Sequence, residues 1–245
     1  DFNPALGFVN RRDIRETVID LGHTHHFDSD LFRTWNPWAH FEYVTDTSNR
    51  LQSQKLIVYP ATFHLESGYY LQLDLISLTE VVDSQFNIYG DVMIPEGRYD
   101  SKRYGFRLTS EQHLKFAYDI IYQDGEHYGG DWRSLDVTLN WRPWSSLLLS
   151  MSASATDARL PLGAFESRLL RLNSELAFNT DWSWVVSLQY DNDTQVLGIH
   201  SRLRYQPSAR QSFILVLDQN RQKLDQDFRT LDSQAVVKLD YRFRF

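Results

Sequence analysis

The chain has no cysteine in its 245 residues. That excludes disulfides and thiolate metal sites, and it is compatible with passage through an oxidising periplasm. Long hydrophobic runs are missing too. No stretch of eighteen apolar residues occurs and the mean hydropathy is −0.45, which excludes a membrane-spanning helix and argues against an uncleaved secretory signal in this sequence. A β-barrel escapes that test, because its lipid-facing residues alternate with lumen-facing ones. Basic surface is lacking as well. With 32 acidic against 25 basic residues the net charge is −7, which argues against nucleic acid as a partner, since phosphate contacts need a concentrated basic patch. Aromatic residues are plentiful: 15 Phe, 13 Tyr and 7 Trp. They suit the girdles of a membrane barrel, and a sandwich core would use them too.

The last eleven residues show the governing pattern. Ala235, Val237, Leu239, Tyr241, Phe243 and Phe245 fall on one face of a strand, and Val236, Lys238, Asp240, Arg242 and Arg244 on the other. Period-two segments of this kind recur along the whole chain, with no convincing helical stretch, so the fold class is all-β. Candidate strands fall at about 14–24, 37–46, 52–65, 69–80, 101–109, 113–123, 131–141, 146–156, 165–178, 182–191, 195–206, 211–219 and 232–245. Most have the nine to eleven residues that a tilted strand needs to cross a bilayer, longer than strands of soluble sheets. Trp182, Trp184, Val186, Leu188 and Tyr190 share one face, as do Leu197, Ile199, Leu203 and Tyr205, and Leu135, Val137, Leu139 and Trp141. Leu114, Phe116, Tyr118, Ile120 and Tyr122 repeat the pattern. Aromatics at strand ends with aliphatics between them are expected where rings sit at headgroup level. Two features break the rule: Ile214 and Val216 would face the lumen, and Pro60 interrupts its strand.

The expected architecture is a transmembrane antiparallel up-and-down β-barrel of about 12–14 strands in residues 1–245, with 1–12 as a lead-in. Its rival is a soluble sandwich. Counted back from a periplasmic C-terminus, the outside connections are 220–231, 192–194, 157–164, 124–130, 81–100 and 47–51, and most are longer than the inside ones. Thirteen strands is an odd total, whereas single-chain bacterial barrels have an even one. The preferred explanation is that the chain begins partway around a larger barrel.

Candidate chemistry is sparse. In the run His23 to His26, two imidazoles share a strand face beside Asp28 and Asp30, but a metal ion needs a third ligand and a fixed second shell, so a solvated strand end is the better reading. His200 and Ser201 are adjacent in a strand and point to opposite faces, so they cannot share a proton. Glu126 and Asp131 flank a glycine-containing loop that could bind sugar or calcium, though a flexible acidic loop is the plainer account. No catalytic residue, metal or cofactor is assigned. The charged inward-facing set is more informative. Arg103, Arg107, Lys115, Asp119, Asp136, Arg171, Glu175, His200, Arg202, Arg204, Lys238, Asp240, Arg242 and Arg244 would project into the lumen, making either a hydrated channel or a salt-bridged plug. Tyr241, Phe243 and Phe245 have the form of a signal to the barrel-assembly machinery.

Six stretches also carry a family likeness: DFNPALGFVNRRDIR, IPEGRYDSKRYGFRL, YGGD at Tyr128 to Asp131, LPLGAF at Leu160 to Phe165, LQYDNDTQVLGIHSRLRYQP and VVKLDYRFRF. In matching order, they resemble the C-terminal barrel region of an uncharacterised outer-membrane protein family that carries an N-terminal domain like carbohydrate-binding module family 9. The resemblance implies the outer membrane of a Gram-negative bacterium, with outer-membrane lipid, lipopolysaccharide and the barrel-assembly machinery as partners, and a further envelope protein as a possible one. It also implies an upstream module and more strands. The expected function is porin-like passage of small polar solutes, or membrane anchoring of a glycan-related module. An outer-membrane hydrolase with a lumen or loop site, and a structural partner of another envelope protein, are the alternatives.

Overall fold

The computed structural model describes residues 13–224 and 227–241. The lead-in 1–12 and four proposed residues, Arg242, Phe243, Arg244 and Phe245, lie outside the described residues. Seventeen strands run in order among the described residues: β1 (Ile14–Gly22), β2 (His25–His26), β3 (Phe32–Trp35), β4 (Trp38–Asp46), β5 (Leu51–Leu65), β6 (Tyr70–Val82), β7 (Phe86–Tyr89), β8 (Val92–Ile94), β9 (Gly97–Thr109), β10 (Phe116–His127), β11 (Gly130–Trp144), β12 (Leu147–Leu160), β13 (Gly163–Ala177), β14 (Trp182–Asp191), β15 (Val196–Ser208), β16 (Gln211–Leu224) and β17 (Asp227–Tyr241).

Thirteen of them form one antiparallel meander from β1 through β4, β5, β6 and β9 to β17, each paired with its neighbour in sequence along that path. These thirteen match the sequence-expected segments one for one. Four short strands were not expected, because two to four residues cannot display a period: β2 and β3 sit in the connection between β1 and β4, and β7 pairs β8 in the long connection between β6 and β9. No ladder joins β1 to β17 among the described residues.

The outside loops need correction. Residues 124–130 and 157–164 are mostly strand: β10 and β11 pair as far as His127 with Gly130, and β12 and β13 as far as Leu160 with Gly163. Tyr128 and Gly129 both take positive φ, 47° and 75°, the two-residue turn whose twist matches the flanking strands. The sheet therefore overhangs at this end, with strands of 12 to 15 residues from β10 to β13, where about ten suffice to cross a bilayer. Pro60 sits in a bulge where the β5 and β6 register slips between Val58 and Ala61, so its missing N–H costs no ladder bond.

Cross-strand partners share a face, which fixes the two surfaces of the wall. Phe106, Tyr122, Leu135 and Ala155 stand opposite one another on β9 to β12, and Leu172, Leu188 and Ile199 on β13 to β15. This outer face is aliphatic in the middle. Phe116, Trp141, Trp184, Tyr205 and Phe213 border it toward one end, and Tyr104, Tyr122 and Tyr190 toward the other. Among the described residues no second sheet covers it: Trp141 is 49% and Leu239 76% exposed, and Leu139 and Leu188 are only half-buried. A sandwich would bury these residues between layers. The opposite face carries Asp136, Thr138 and Asn140 on β11 and Ser150, Ser152 and Ser154 on β12. The β7 and β8 hairpin packs on this inner side, reaching from its roots beside β6 and β9 to Phe165 on β13, so the sheet curves around it.

Candidate functional site

The inner face is a ladder of side-chain hydrogen bonds between adjacent strands. On β9 and β10, Arg107 donates to both Asp119 oxygens from Nε and Nη2 at 2.9 and 2.8 Å, while the Thr109 hydroxyl donates at 2.6 Å. Two parallel N–H donors on one carboxylate is the strong form of the pair. Further round, Ser154 donates to Asp136, Ser150 to Asn140 at 2.7 Å, and Ser187 to Asn173 at 2.6 Å. Arg171 donates to the Gln189 carbonyl at 2.9 Å, and His200 Nδ1 meets Asp218. At the far edge Ser212 donates to Asp240 at 3.4 Å. Toward β1, His40 lies 2.7 Å from Asp20, and Trp38 stacks on Tyr59 at 4.4 Å.

Between β6 and β10 the ladder tightens. Gly105 pairs with Asp74 and Gln123 across its two neighbours. Having no side chain, it lets the Asp74 carboxylate fold onto the sheet: a Cβ there would lie 2.7 Å from Asp74 Oδ2. Asp74 is 5% exposed and accepts from Gln123 Nε2 at 3.3 Å.

A packed cluster closes the overhanging end on the inner side. Trp132, Ala158 and Phe165 form one cross-strand row, and Tyr89 of the hairpin stacks on Phe165 at 4.7 Å and 15°. Val82, Ile94, Tyr128, Ala158 and Leu160 are its buried core. The Tyr128 hydroxyl donates to Glu80 at 2.8 Å, and the His127 ring meets Trp132 edge-on at 5.1 Å. His127 lies beyond the tyrosine border, outside any spanning segment. Burial, aided by the positive charge of Arg103, lowers its pKa to about 4, and its Nδ1 has no hydrogen-bond partner among the described residues. Between the ordinary value of 6.5 and about 4 the unfolded chain protonates this ring and the folded one resists, so acidification removes stability from the cluster. Hydrogen exchange followed by mass spectrometry should show residues 84–95 losing protection as pH falls from 7 to 4.5, after correction for intrinsic rates. H127Q should flatten that dependence; an unchanged profile in the variant would assign it to another group.

The structure distributes the sequence-proposed residues unevenly. Arg103, Arg107, Asp119, Asp136, Arg171, Glu175, His200, Arg202, Arg204, Lys238 and Asp240 share the inner face by register. Lys115 does not stand on the wall; it lies in the bend just before β10, where its carbonyl accepts from the Arg142 N–H. Tyr241 ends the described part of β17 on the outer face, opposite Gln211. Ser201 faces outward and accepts from Trp184 Nε1 at 2.9 Å, away from His200. Glu126 and Asp131 are cross-strand partners rather than a loop, with Arg159 opposite Asp131 on β12. His25 packs its ring edge on Phe27. Sequence reasoning missed Asp74, Gln123 and the hairpin cluster. The only available signal was an acid in a strand that is apolar at Leu71, Leu73, Leu75 and Ile76.

No family model matches the chain and no curated protein matches it. Among solved structures it is similar to the ferric-catecholate import receptor Fiu of E. coli K12 in its open form, with a TM-score of 0.57 and 10% identity. The match covers 94% of this chain and 45% of that one, so the chain spans less than half the receptor's length. The fold is that of an outer-membrane β-barrel. At this identity the likeness concerns architecture alone, and it agrees with the apolar outer face and polar inner face described above.

Proposed function

We propose that the chain is an integral part of a Gram-negative outer membrane and that its hydrated interior passes small polar solutes. The observation that carries this reading is the state of the inner cations. Arg202, Arg204 and Lys238 are exposed on the inner face and form no ion pair with another described residue, and charges without partners need water. Serine, threonine, asparagine and glutamine line much of the middle of that face on β11 to β14, as in barrels that hold an aqueous interior. The outer face meets outer-membrane lipid and lipopolysaccharide, and the barrel-assembly machinery inserts the chain.

The hairpin cluster favours a second reading, an anchor with a closed mouth that holds a glycan-related module at the surface. Conductance separates the two. Reconstituted in a planar bilayer, the purified protein should open steps in 1 M KCl, and replacing residues 84–95 by a short Gly and Ser linker should enlarge them severalfold. A bilayer that stays silent for both proteins would favour the anchor.

A further inference from the structure

We propose that the inner wall of β15 to β17 carries a subsite for small oxyanions, carboxylate or phosphate, at the end opposite the hairpin, and that Arg204 and Arg210 hold the ligand. The proposal deepens the passage reading and rests on it for its biological role. A cavity of about 320 Å³ opens there, lined among others by Arg204, Gln206, Arg210, Gln211, Ser212 and Asp240. Register places Arg204 and Lys238 on either side of Ile214, and Arg202 one step further along the same face beside Val216.

Two contrasts set this patch apart. The first is pairing. Arg107 is clamped by Asp119 and Arg171 by Gln189, whereas Arg202, Arg204, Arg210 and Lys238 form no ion pair among the described residues. The carboxylates nearest to them in register are already engaged: Asp240 accepts the Ser212 hydroxyl, and Asp218, diagonal to Arg202, meets His200. Glu175 stands two strands from Arg202, with Val185 between them. The second is the floor. Ile214, Val216 and Val236 occupy inner positions that elsewhere carry hydroxyls and amides. Apolar walls beneath a cluster of one sign concentrate its field and raise the local concentration of counter-ions.

The donor chemistry selects the ligand class. Guanidinium groups meet carboxylate and phosphate with two parallel N–H donors, and the lysine adds a point charge. Gln206, Gln211 and Ser212 supply neutral donors around the same cavity. A cation would find four positive side chains against Asp240. Anions are therefore gathered at this mouth and metal cations turned away.

The test uses the full chain purified in detergent and inorganic phosphate as the probe. Titration calorimetry should show saturable binding, and R204Q/R210Q should weaken it by about tenfold or more, the loss expected for two charged hydrogen-bonding groups. R171Q, on the same face but outside the cavity, should leave it unchanged. Unboiled gel mobility verifies that each variant is folded. In a KCl gradient, the reversal potential should show anion preference that the double variant loses. Saturable phosphate binding without conductance would keep the subsite and remove the passage reading. Conductance with cation preference and no saturable binding would overturn the subsite alone, as would binding indifferent to the double substitution.

Discussion

V137R should destabilise the folded protein by about 2–4 kcal/mol, while T138R, its immediate neighbour, should cost less than about 1 kcal/mol. Val137 lies midway along the outer face of β11, between Arg133 and Trp141, in a cross-strand row with Leu108, Ile120, Ala153 and Leu170. An arginine there must hold its guanidinium in hydrocarbon or bend far to reach water. Thr138 points the other way, with Asp119 opposite on β10 and Ser152 opposite on β12. Its side chain gives up one weak contact, at 3.4 Å to Ser152, and an arginine in its place gains a carboxylate neighbour. Urea unfolding of both variants in lipid vesicles measures the difference. Equal costs, or the reverse order, would mean that the two faces have been assigned the wrong way round.

G125A should block assembly almost completely, by a backbone clash rather than by chemistry. Gly125 sits in β10 between Arg103 and Trp132, at φ 145°. A Cβ there would lie 2.2 Å from the Lys102 carbonyl oxygen and 2.7 Å from Arg103 Cα. Both are backbone atoms of the neighbouring strand and cannot swing aside. Strained dihedrals and overpacking each cost roughly 1–3 kcal/mol, so their sum rivals the net stability of many domains. The strain falls one strand from Trp132, under the hairpin cluster, so surviving protein should also expose residues 84–95. Gly90 provides the control: its φ is 51°, but a Cβ would meet nothing within 4 Å, so G90A should cost only about 1–2 kcal/mol. Unboiled gel mobility after insertion reports the folded fraction for both. Similar yields would locate the sensitivity in dihedral strain alone.

The wall was legible because its signal is redundant. Each long strand repeats the alternation four or more times, so a single exception such as Ile214 or Pro60 does not hide it. Strand ends were less legible. The run from Gln123 to Asp131 reads as loop by its glycines and acids, and the tight turn that carries the ladder to its tip places Tyr128 at positive φ, a conformation uncommon for that residue. The inner face could be foreseen as a set, since parity alone determines it. Its partnerships could not. Arg107 finds Asp119 because β9 and β10 pair Thr109 with Asp119, and a slip by two residues would leave the same faces with different pairs. The folding of residues 83–96 onto Trp132 and Phe165 was out of reach for another reason: it joins strands that are distant along the sheet.

The thirteen-strand path has a geometric corollary. Thirteen strands joined by twelve antiparallel pairings leave β1 and β17 pointing the same way. A seam made by zipping these two margins together would be a parallel ladder with slanted hydrogen bonds, slightly weaker than any other joint in the wall. Keeping every joint antiparallel instead requires one, three or another odd number of intervening strands. The direction of the two margins thus decides, by counting alone, which insertions can complete the ring without a mismatched joint.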